Sequence, residues 1–398
     1  MLRSFGRRLA VLVASSLADT YLFMCHILRK LSMRRLIPLL IITAGLSASM
    51  TKAQDTTPPL RLAIVGLVHG HVPGFLHGSL SRPDISLVAV VEPNRRLAKQ
   101  YATQYRVDST LLFADLEEML RKVKPEAVAT FTNTFDHRKV VEICARYGVH
   151  VMMEKPLAVT MEHARAIEKA ATKGRIHVLV NYETTWYASN HAAFRMVTVD
   201  GAIGEIRRMV VHDGHRGPKE IGCQPEFLKW LTDPVLNGGG ALTDFGCYGA
   251  NLMTWLMGGK KPASVMAVTQ HIKPAVYPNV DDEATIVLAY PKATGIIQAS
   301  WNWPFDRKDM EIYGLTGLVC TVRKDSLRVR LGEKPETLIT AQALSTPDGD
   351  PLSYLAAVVR GKATPAGLSS LKVNMVVTEI LDAARVSAKS GKSVKLRQ

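Results

Sequence analysis

The pattern of apolar and polar residues from residue 60 onward predicts strands that alternate with helices. Short continuous apolar runs predict buried parallel strands, and the more polar, amphipathic stretches between them predict helices. Strands are predicted at 60–66, 86–91, 127–132, 150–153 and 176–180, and helices at 73–81, 95–105 and 137–147. This alternation is typical of an α/β fold with a doubly wound parallel sheet.

The pattern changes in the second half of the chain, where predicted strands follow one another with few helices between them. These strands are predicted at 206–211, 265–269, 284–290, 295–300 and 310–313. Residues 333–351 are predicted to form a long loop, and residues 368–390 a long helix that packs back on the body. We therefore expect two domains after the N-terminal segment, at 58–180 and 181–398.

Residues 1–53 have the pattern of an export signal. Arg34 and Arg35 precede an apolar run at 36–46, and small and polar residues follow up to Ala53, after which we predict cleavage. The run is shorter than the roughly 20 apolar residues that span a membrane, although an N-terminal membrane anchor is the alternative interpretation. We expect a periplasmic or secreted protein that is not inserted in a membrane after signal removal.

Two further details of this segment concern the start of translation and the route of export. Arg7 and Arg8, followed by the apolar run 9–17, repeat the layout of a signal, so the simplest explanation is that translation starts at Met33. The pair Arg34-Arg35 is compatible with the twin-arginine route, which exports folded proteins. That route would suit an enzyme that carries its cofactor out of the cytoplasm.

The positive charge of the chain is concentrated in this same segment. The 398 residues carry a net charge of +15, and eight basic residues and one acidic residue in 1–53 supply +7 of it. The remaining residues carry only +8 and show no basic run interleaved with aromatic residues. We therefore expect no nucleic-acid partner.

The turn after the first strand departs from the G-x-G-x-x-G phosphate-binding fingerprint. It reads Gly66-Leu67-Val68-His69-Gly70-His71, so only the first glycine holds its place. Glu92, at the end of the second strand, suits a ribose 2′-hydroxyl and favours NAD over NADP, although Arg95 and Arg96 lie close by. The alternatives are a solvated loop acid for Glu92 and turn packing for the histidines. The candidate cofactor-binding residues are Gly66, Val68, His69, Gly70, His71, Glu92, Thr132, Asn133, His137, Glu154 and Lys155.

Two further motifs carry the chemistry. Glu154-Lys155-Pro156 ends a strand at the carboxyl edge of the predicted sheet, where ligands bind in open α/β folds. The glycine turn 238–240 is predicted to open a helix on which Asp244 and Tyr248, four residues apart, share a face.

Together with the segments 201–206 and 387–394, these motifs resemble the Gfo/Idh/MocA family (the glucose–fructose oxidoreductase and inositol dehydrogenase family) over residues 60–397. The resemblance implies a Rossmann dinucleotide-binding domain followed by an α+β domain with a large, open, mostly antiparallel sheet, and a homodimer or homotetramer. It implies that Lys155, Asp244 and Tyr248 are catalytic, with tyrosine in place of the usual histidine and Asn251 in place of a frequent aspartate. The tyrosine variant is similar to the glucose–fructose oxidoreductase branch, whose members are exported with their cofactor.

The chemistry of these three residues can also be argued directly. Oxidation of a sugar carbon requires the attached hydroxyl to lose its proton, and a tyrosine accepts that proton if a nearby ammonium group stabilises the phenolate. Lys155 is therefore expected to lower the pKa of Tyr248, and Asp244 to orient the lysine or the sugar. The alternatives are a surface lysine, a helix N-cap for Asp244 and a core tyrosine.

Polar and aromatic residues beyond the first domain are candidate sugar contacts: Asn181, Trp186, His212, His215 and Trp303. His212 and His215 are expected to lie in a loop that lines the sugar pocket, and because no third ligand is evident we predict no metal site there. The five cysteines lack any C-x-x-C pair, which indicates buried apolar residues, or one or two disulfides after export.

The leading interpretation is thus an exported nicotinamide-dependent oxidoreductase that acts on a sugar, polyol or glycoside. One alternative is a glycoside hydrolase of the same family that uses bound NAD for transient oxidation and elimination. The other is a nucleotide- or sugar-binding protein without catalysis, which the departures at Val68 and His71 suggest.

Overall fold

The computed structural model describes residues 58–397, and their first part builds a six-stranded parallel sheet. Its strands are β1 (Leu60–Val65), β2 (Ile85–Val91), β3 (Leu112–Phe113), β4 (Ala127–Thr130), β5 (His150–Glu154) and β6 (Val178–Asn181). They lie in the order β3-β2-β1-β4-β5-β6. This is the strand order of dinucleotide-binding folds, in which ligands bind outside the carboxyl ends of the strands where the order reverses, here between β1 and β4.

Five helices connect these strands: α1 (Val72–Ser81), α2 (Arg95–Tyr105), α3 (Leu116–Val123), α4 (His137–Arg146) and α5 (Met161–Gly174). The three predicted helices are confirmed to within two residues. The sequence analysis missed α3 and α5, although each begins at a side-chain cap. Asp115 accepts a hydrogen bond from the amide of Glu118, and Thr160 accepts one from the amide of His163.

The second part of the chain forms a nine-stranded mixed sheet. Its strands are β7 (Ile206–Gly214), β8 (Ser264–Gln270), β9 (Glu283–Ala289), β10 (Thr294–Ser300), β11 (Arg307–Gly314), β12 (Gly317–Thr321), β13 (Ser326–Leu331), β14 (Thr337–Thr340) and β15 (Val394–Lys395). The order is β14-β13-β12-β11-β7-β10-β9-β8-β15, and every neighbouring pair is antiparallel except β7 and β10. The predicted architecture of a Rossmann sheet followed by a large, mostly antiparallel sheet is confirmed.

Six more helices follow in the second part of the chain: α6 (Ala188–Phe194), α7 (Pro225–Leu231), α8 (Ala241–Asp244), α9 (Gly246–Leu256), α10 (Pro351–Val359) and α11 (Leu371–Ser390). Helix α10 packs in the apolar cluster of the first sheet and α1. Helix α9 packs on β7 and β10, and α11 packs on α9 and β8. Helix α11 also contacts α5 and β6, so the C-terminal helix packs on elements of both parts of the chain.

Three predictions about this part of the chain were wrong. Strand β7 continues to Gly214, so His212 lies in a strand and not in a loop. The predicted loop 333–351 contains β14, whose four residues are all exposed and therefore lack the buried alternation that marks a strand. Helix α10 was not predicted, although Asp350 caps it by accepting hydrogen bonds from the amides of Leu352 and Ser353.

The predicted export signal lies outside the described residues. Within residues 58–397, no helix combines the length and the apolar character needed to cross a membrane. In the same range the cysteines are all free, and Cys144, Cys247 and Cys320 are buried, as expected for small apolar side chains.

Candidate active site

A buried ion pair joins the two sequence motifs. Lys155 Nζ lies 2.5 Å from Asp244 Oδ1 and donates a second hydrogen bond to the Asp244 carbonyl at 3.0 Å. The indole N–H of Trp301 donates to the other carboxylate oxygen, Asp244 Oδ2, at 2.9 Å. Lys155 is 7% exposed and Asp244 4%, so both charges are held by one another and by Trp301 rather than by water.

The electrostatics of this pair favour two ionised groups. Burial alone would lower the pKa of Lys155, but the adjacent Asp244 carboxylate raises it above its ordinary value. Burial likewise opposes ionisation of Asp244, but the Lys155 ammonium lowers its pKa below the ordinary value. At neutral pH the site therefore contains a protonated lysine that is ready to donate a hydrogen bond into the adjacent cavity.

The glycine turn positions Asp244 through a close backbone approach. A Cβ atom on Gly240 would lie 1.8 Å from the carbonyl oxygen of Asp281, so only glycine fits there. The Asp281 carboxylate accepts hydrogen bonds from the amides of Gly240 and Leu242 at 2.9 and 2.7 Å. These contacts fix the start of α8, which ends at Asp244.

Asp244 and Tyr248 do not share one helix, contrary to the prediction. The helix is interrupted at Phe245, between α8 and α9. There the Asp244 carbonyl accepts hydrogen bonds from Lys155 Nζ and Cys247 Sγ. Asp244 is the last residue of α8 and is not a helix N-cap. The break nevertheless leaves Asp244 and Tyr248 on the wall of the same cavity.

Tyr248 lies between two ammonium groups, but they face its ring. Lys155 Nζ is 5.1 Å and Lys308 Nζ 5.2 Å from the ring centroid, which are cation–π distances. Burial raises the pKa of Tyr248 well above its ordinary value. Burial thus outweighs any stabilisation of the phenolate by these ammonium groups, so the net shift of the Tyr248 pKa is upward and not downward as expected.

These groups face a cavity of about 710 Å³. Seven residues from the sequence-based list line it, namely His69, Gly70, His71, Lys155, His215, Asp244 and Tyr248. His215 accepts a hydrogen bond at Nδ1 from the Gly217 amide at 2.9 Å, and its ring packs edge-on against Phe245. The cavity is also lined by residues that were not predicted from the sequence, including Glu183, Tyr187, Lys308 and Lys324.

Glu183 contacts the other three of these residues. Its carboxylate accepts hydrogen bonds from Lys308 Nζ and from the Tyr187 hydroxyl, the latter at 2.6 Å, and lies 3.3 Å from Lys324 Nζ. Burial opposes its ionisation, but Lys308 and the other donors lower the pKa of Glu183 to about 2. Lys308 lies on β11, just after the loop that contains Trp303, so the sequence analysis named a residue of the same segment but not one that lines the cavity.

The other predicted sugar contacts lie outside this cavity. Asn181 and Trp186 line a neighbouring groove of about 770 Å³, where the Trp186 indole N–H donates to Asn181 Oδ1 at 2.9 Å. His212 Nδ1 lies 2.9 Å from Asp309 Oδ1, and Trp303 packs against His212 and under Arg307. The structure therefore brings His215 to the cavity and gives the other four residues packing and hydrogen-bonding partners elsewhere.

The turn after β1 retains the features that a dinucleotide requires at its first glycine. Gly66 has φ +80°, and a Cβ atom there would lie 2.8 Å from the backbone nitrogen of Thr132. Glu92 is buried at the end of β2, where its two carboxylate oxygens accept hydrogen bonds from the amides of Leu67 and Asn94, both at 2.9 Å. Each oxygen keeps a further acceptor position for a ribose hydroxyl.

Helix α7 packs on the rest of this turn. The Trp230 indole N–H donates to the Val68 carbonyl at 3.0 Å, and the ring of Phe227 lies 4.9 Å from that of His69. His69 is 2% exposed, and burial lowers its pKa well below the ordinary value. Val68, at the second glycine position of the fingerprint, and its neighbour His69 are therefore covered by the second part of the chain, a long-range contact that the sequence pattern does not contain.

Two other predicted cofactor residues have structural contacts. His137 is buried, and its Nδ1 lies 3.1 Å from the Pro156 carbonyl, so it holds the segment that follows Lys155. Burial lowers the pKa of His137 to about 4. Asn133 caps a short turn by accepting a hydrogen bond from the Asp136 amide at 3.0 Å.

Asp213, on β7, is a buried carboxyl group with a predictable effect on stability. It is 0% exposed, and neither carboxylate oxygen has a hydrogen-bond partner within the described residues. Burial raises the pKa of Asp213 well above its ordinary value, although Lys308 opposes this shift. The folded protein therefore keeps a proton that the unfolded chain loses near pH 4.

We expect Asp213→Asn to remove a pH dependence of stability. Because the folded state binds the extra proton, its stability falls as pH rises above about 4, by up to about 1.4 kcal/mol per pH unit for one proton. Asparagine does not titrate, so the stability of the variant relative to the wild type should increase from pH 4 to pH 7. Urea unfolding at several pH values measures this difference. Parallel pH profiles for the two proteins would show that Asp213 is ionised in the folded state.

Comparisons with known proteins agree with this architecture. The family model for the oxidoreductase family with an NAD-binding Rossmann fold matches residues 60–182, and that for the Gfo/Idh/MocA C-terminal domain matches residues 191–320. Among solved structures, an aldose–aldose oxidoreductase from Caulobacter crescentus, complexed with glycerol, has a TM-score of 0.73 at 24% identity and covers 85% of this chain and 100% of its own. An inositol dehydrogenase homolog from Azotobacter vinelandii, complexed with NAD+, has a TM-score of 0.73 at 21% identity, over 85% and 98% of the two chains.

Curated relatives are more similar in sequence but match over shorter lengths. D-glucoside 3-dehydrogenase of Escherichia coli is 29% identical over 219 residues, which is 54% of this chain and 59% of the relative. Trans-1,2-dihydrobenzene-1,2-diol dehydrogenase of Macaca fuscata fuscata is 26% identical over 57% of this chain and 63% of its own length. The chain thus spans about six-tenths of these relatives. With both family domains matched in order along one chain, the protein belongs to the Gfo/Idh/MocA family of oxidoreductases.

Proposed function

We propose that this protein is an exported NAD-dependent oxidoreductase that acts on a CH–OH group of a sugar, polyol or glycoside. The observation that carries the proposal is the buried Lys155–Asp244 pair, which faces a cavity together with Tyr248. This cavity adjoins the carboxyl ends of β1 and β5 in a sheet with the dinucleotide-binding strand order. Two of the similar proteins are named for activity on sugars, the glucoside 3-dehydrogenase and the aldose–aldose oxidoreductase.

The residues that would hold the cofactor are Gly66 and the turn that follows it for the phosphates, and Glu92 for a ribose. An acid at the end of β2 repels a 2′-phosphate, which supports NAD over NADP. When bound, NAD supplies a two-electron acceptor for the sugar carbon.

The side chains around the cavity can stabilise charge on the reacting oxygen and exchange a proton with it. The Lys155 ammonium donates a hydrogen bond to that oxygen and stabilises negative charge on it. Tyr248 Oη carries the proton, because burial raises the pKa of Tyr248. Two protonated groups beside the substrate favour delivery of a proton to a carbonyl oxygen, that is, the direction of carbonyl reduction. In the oxidative direction, Tyr248 Oη must first release its proton.

The pattern of residues 1–53 supports export, and a partly exposed face of the second sheet supports self-association. Met266 and Val268, on alternate positions of β8, are 45% and 57% exposed, whereas Val265 and Ala267, which alternate with them, are buried. A sheet face with apolar side chains in solvent suits a homodimer or homotetramer.

The function is tested on protein purified without added nucleotide. We expect NAD to bind in a calorimetric or fluorescence titration, or NAD(H) to be released on denaturation and detected by mass spectrometry. With a panel of sugars, polyols and aryl glycosides, the absorbance of reduced nicotinamide should follow substrate consumption. Cleavage of an aryl glycoside with no net change in that absorbance would instead indicate the NAD-dependent hydrolase. If the purified protein contains no NAD(H) and binds none on titration, this would overturn the proposal and indicate a binding protein without catalysis.

A further inference from the structure

Three metal-ligand side chains meet beside the active-site cavity, at the carboxyl ends of β1 and β5. They are His69, His71 and Glu154, whose nearest ligand atoms all lie within 4.8 Å of one another. Glu154 Oε2 is 3.0 Å from His71 Nδ1 and 4.0 Å from His69 Nε2. The sequence contains the two histidines as an H-x-H pair in the turn after β1, and the strand order brings Glu154 to them.

The buried atoms of this group have few partners outside the group. Glu154 is 1% exposed, and Asn181 Nδ2 donates to its Oε1 at 2.8 Å. Apart from its contacts with the two imidazoles, the other oxygen, Glu154 Oε2, has no hydrogen-bond partner within the described residues, and neither has the nitrogen Nε2 of His69. Both atoms point into the group. A buried carboxylate oxygen requires a cation or a donor, and here nothing but two imidazoles faces it.

We propose that His69, His71 and Glu154 form a binding site for one divalent transition-metal ion of the Zn²⁺ class. Two imidazoles and one carboxylate are a ligand set typical of such ions. Three protein ligands leave a coordination position open, and His69 and His71 also line the cavity that holds Lys155. That position is therefore accessible to water or to an oxygen of a bound ligand.

The distances are within reach of a single ion. Two ligand atoms that are each about 2.1 Å from one metal lie at most about 4.2 Å apart, so both contacts of Glu154 Oε2 already satisfy this limit. The wider separation between the imidazoles is closed by rotation of His71, whose side chain is 41% exposed and therefore has room to move.

Binding requires one rearrangement of protons. The backbone amide of His71 donates to His69 Nδ1 at 3.2 Å, which places the imidazole proton of His69 on Nε2. Ligation through Nε2 requires the other neutral tautomer, with the proton on Nδ1, and this breaks the contact, which is at the long end of the hydrogen-bond range. Without a metal, a protonated His71 paired with Glu154 is the competing arrangement.

The test uses the full chain without a histidine tag, dialysed against a chelator and then against buffer, with no nucleotide or sugar present. We expect calorimetric titration with Zn²⁺ to give one ion per chain, and Co²⁺ to give visible absorption bands of a site with nitrogen and oxygen ligands. His71→Ala and Glu154→Gln should each weaken binding at least about 10-fold. Glutamine at 154 keeps an oxygen that can accept the Asn181 hydrogen bond. The matched control is His77→Ala, an exposed histidine of α1 that should bind the ions as the wild type does.

Equal binding by the wild type, His71→Ala and Glu154→Gln, or no binding by the wild type, would overturn the proposal and leave the His71–Glu154 ion pair as the explanation. Circular dichroism establishes that each variant is folded. If Glu154→Gln does not fold, His71→Ala still decides, because that side chain is partly exposed. The result is independent of the proposed oxidoreductase activity, which can fail while the metal binds.

Discussion

Replacing Lys155 by methionine should reduce kcat/KM by about a thousandfold. Methionine keeps the length of the side chain but removes the ammonium group, which is the one charge at the cavity that is buried beside both Asp244 and Tyr248. Loss of a positioned proton donor or charge at a reacting oxygen typically lowers the rate by 10²- to 10⁴-fold. Steady-state rates of the folded variant with the best substrate of the panel measure the effect.

The control for this prediction is Lys169→Met, which removes an exposed lysine on α5 that does not line the cavity. That variant should retain wild-type kinetics. Tyr248→Phe separates the roles of the two residues, since it keeps the ring between Lys155 and Lys308 and removes only the hydroxyl. Full activity of Lys155→Met would show that the reacting oxygen binds elsewhere and would refute the assignment of this cavity.

Replacing Asp244 by alanine should destabilise the protein by about 3–5 kcal/mol. The substitution leaves the Lys155 ammonium buried without a counter-ion, and removing one partner of a buried ion pair has effects of this size. It also leaves the Trp301 indole N–H without its acceptor. The measurement is the free energy of unfolding in urea, which should fall while the steepness of the transition is unchanged.

The double variant Lys155→Met/Asp244→Leu tests in a double-mutant cycle how far the two residues stabilise one another. Because it removes both charges and fills the space with apolar side chains, its loss of stability should be smaller than the sum of the losses in the single variants. Additive losses would mean that Lys155 and Asp244 do not stabilise one another in the folded protein. Activity should be absent in the double variant, so stability and catalysis respond differently to the same pair.

The sequence predicted the first sheet well because its signals are local. Apolar runs such as Leu60–Val65 and Ile85–Val91 are buried on both faces, so the strands are recognisable without knowledge of their neighbours. Strand β14 was missed for the opposite reason. Its residues are held only by pairing with β13, and all four are exposed, so no alternation of burial marks them.

The candidate site was predicted in part. The motifs around Lys155, Asp244 and Tyr248 named the residues that line one wall of the cavity. The interruption between α8 and α9 was not predictable from spacing, because the Asp244 carbonyl accepts a hydrogen bond from Lys155, 89 positions away in the chain. The pKa of Tyr248 was predicted in the wrong direction because burial, which raises it, is a property of the folded molecule.

The sequence by itself determined the strand–helix alternation of the first sheet, the strand-rich second part, the two motifs, the family and the class of reaction that we propose, since these follow from local patterns of residues. Only the tertiary structure decided which charges meet: Lys155 with Asp244, Glu183 with Lys308, and Glu154 with two histidines of the first turn. Such pairs join residues that are far apart in the chain. Their energies depend on distance and burial, which are properties of the folded molecule and have no period in the sequence.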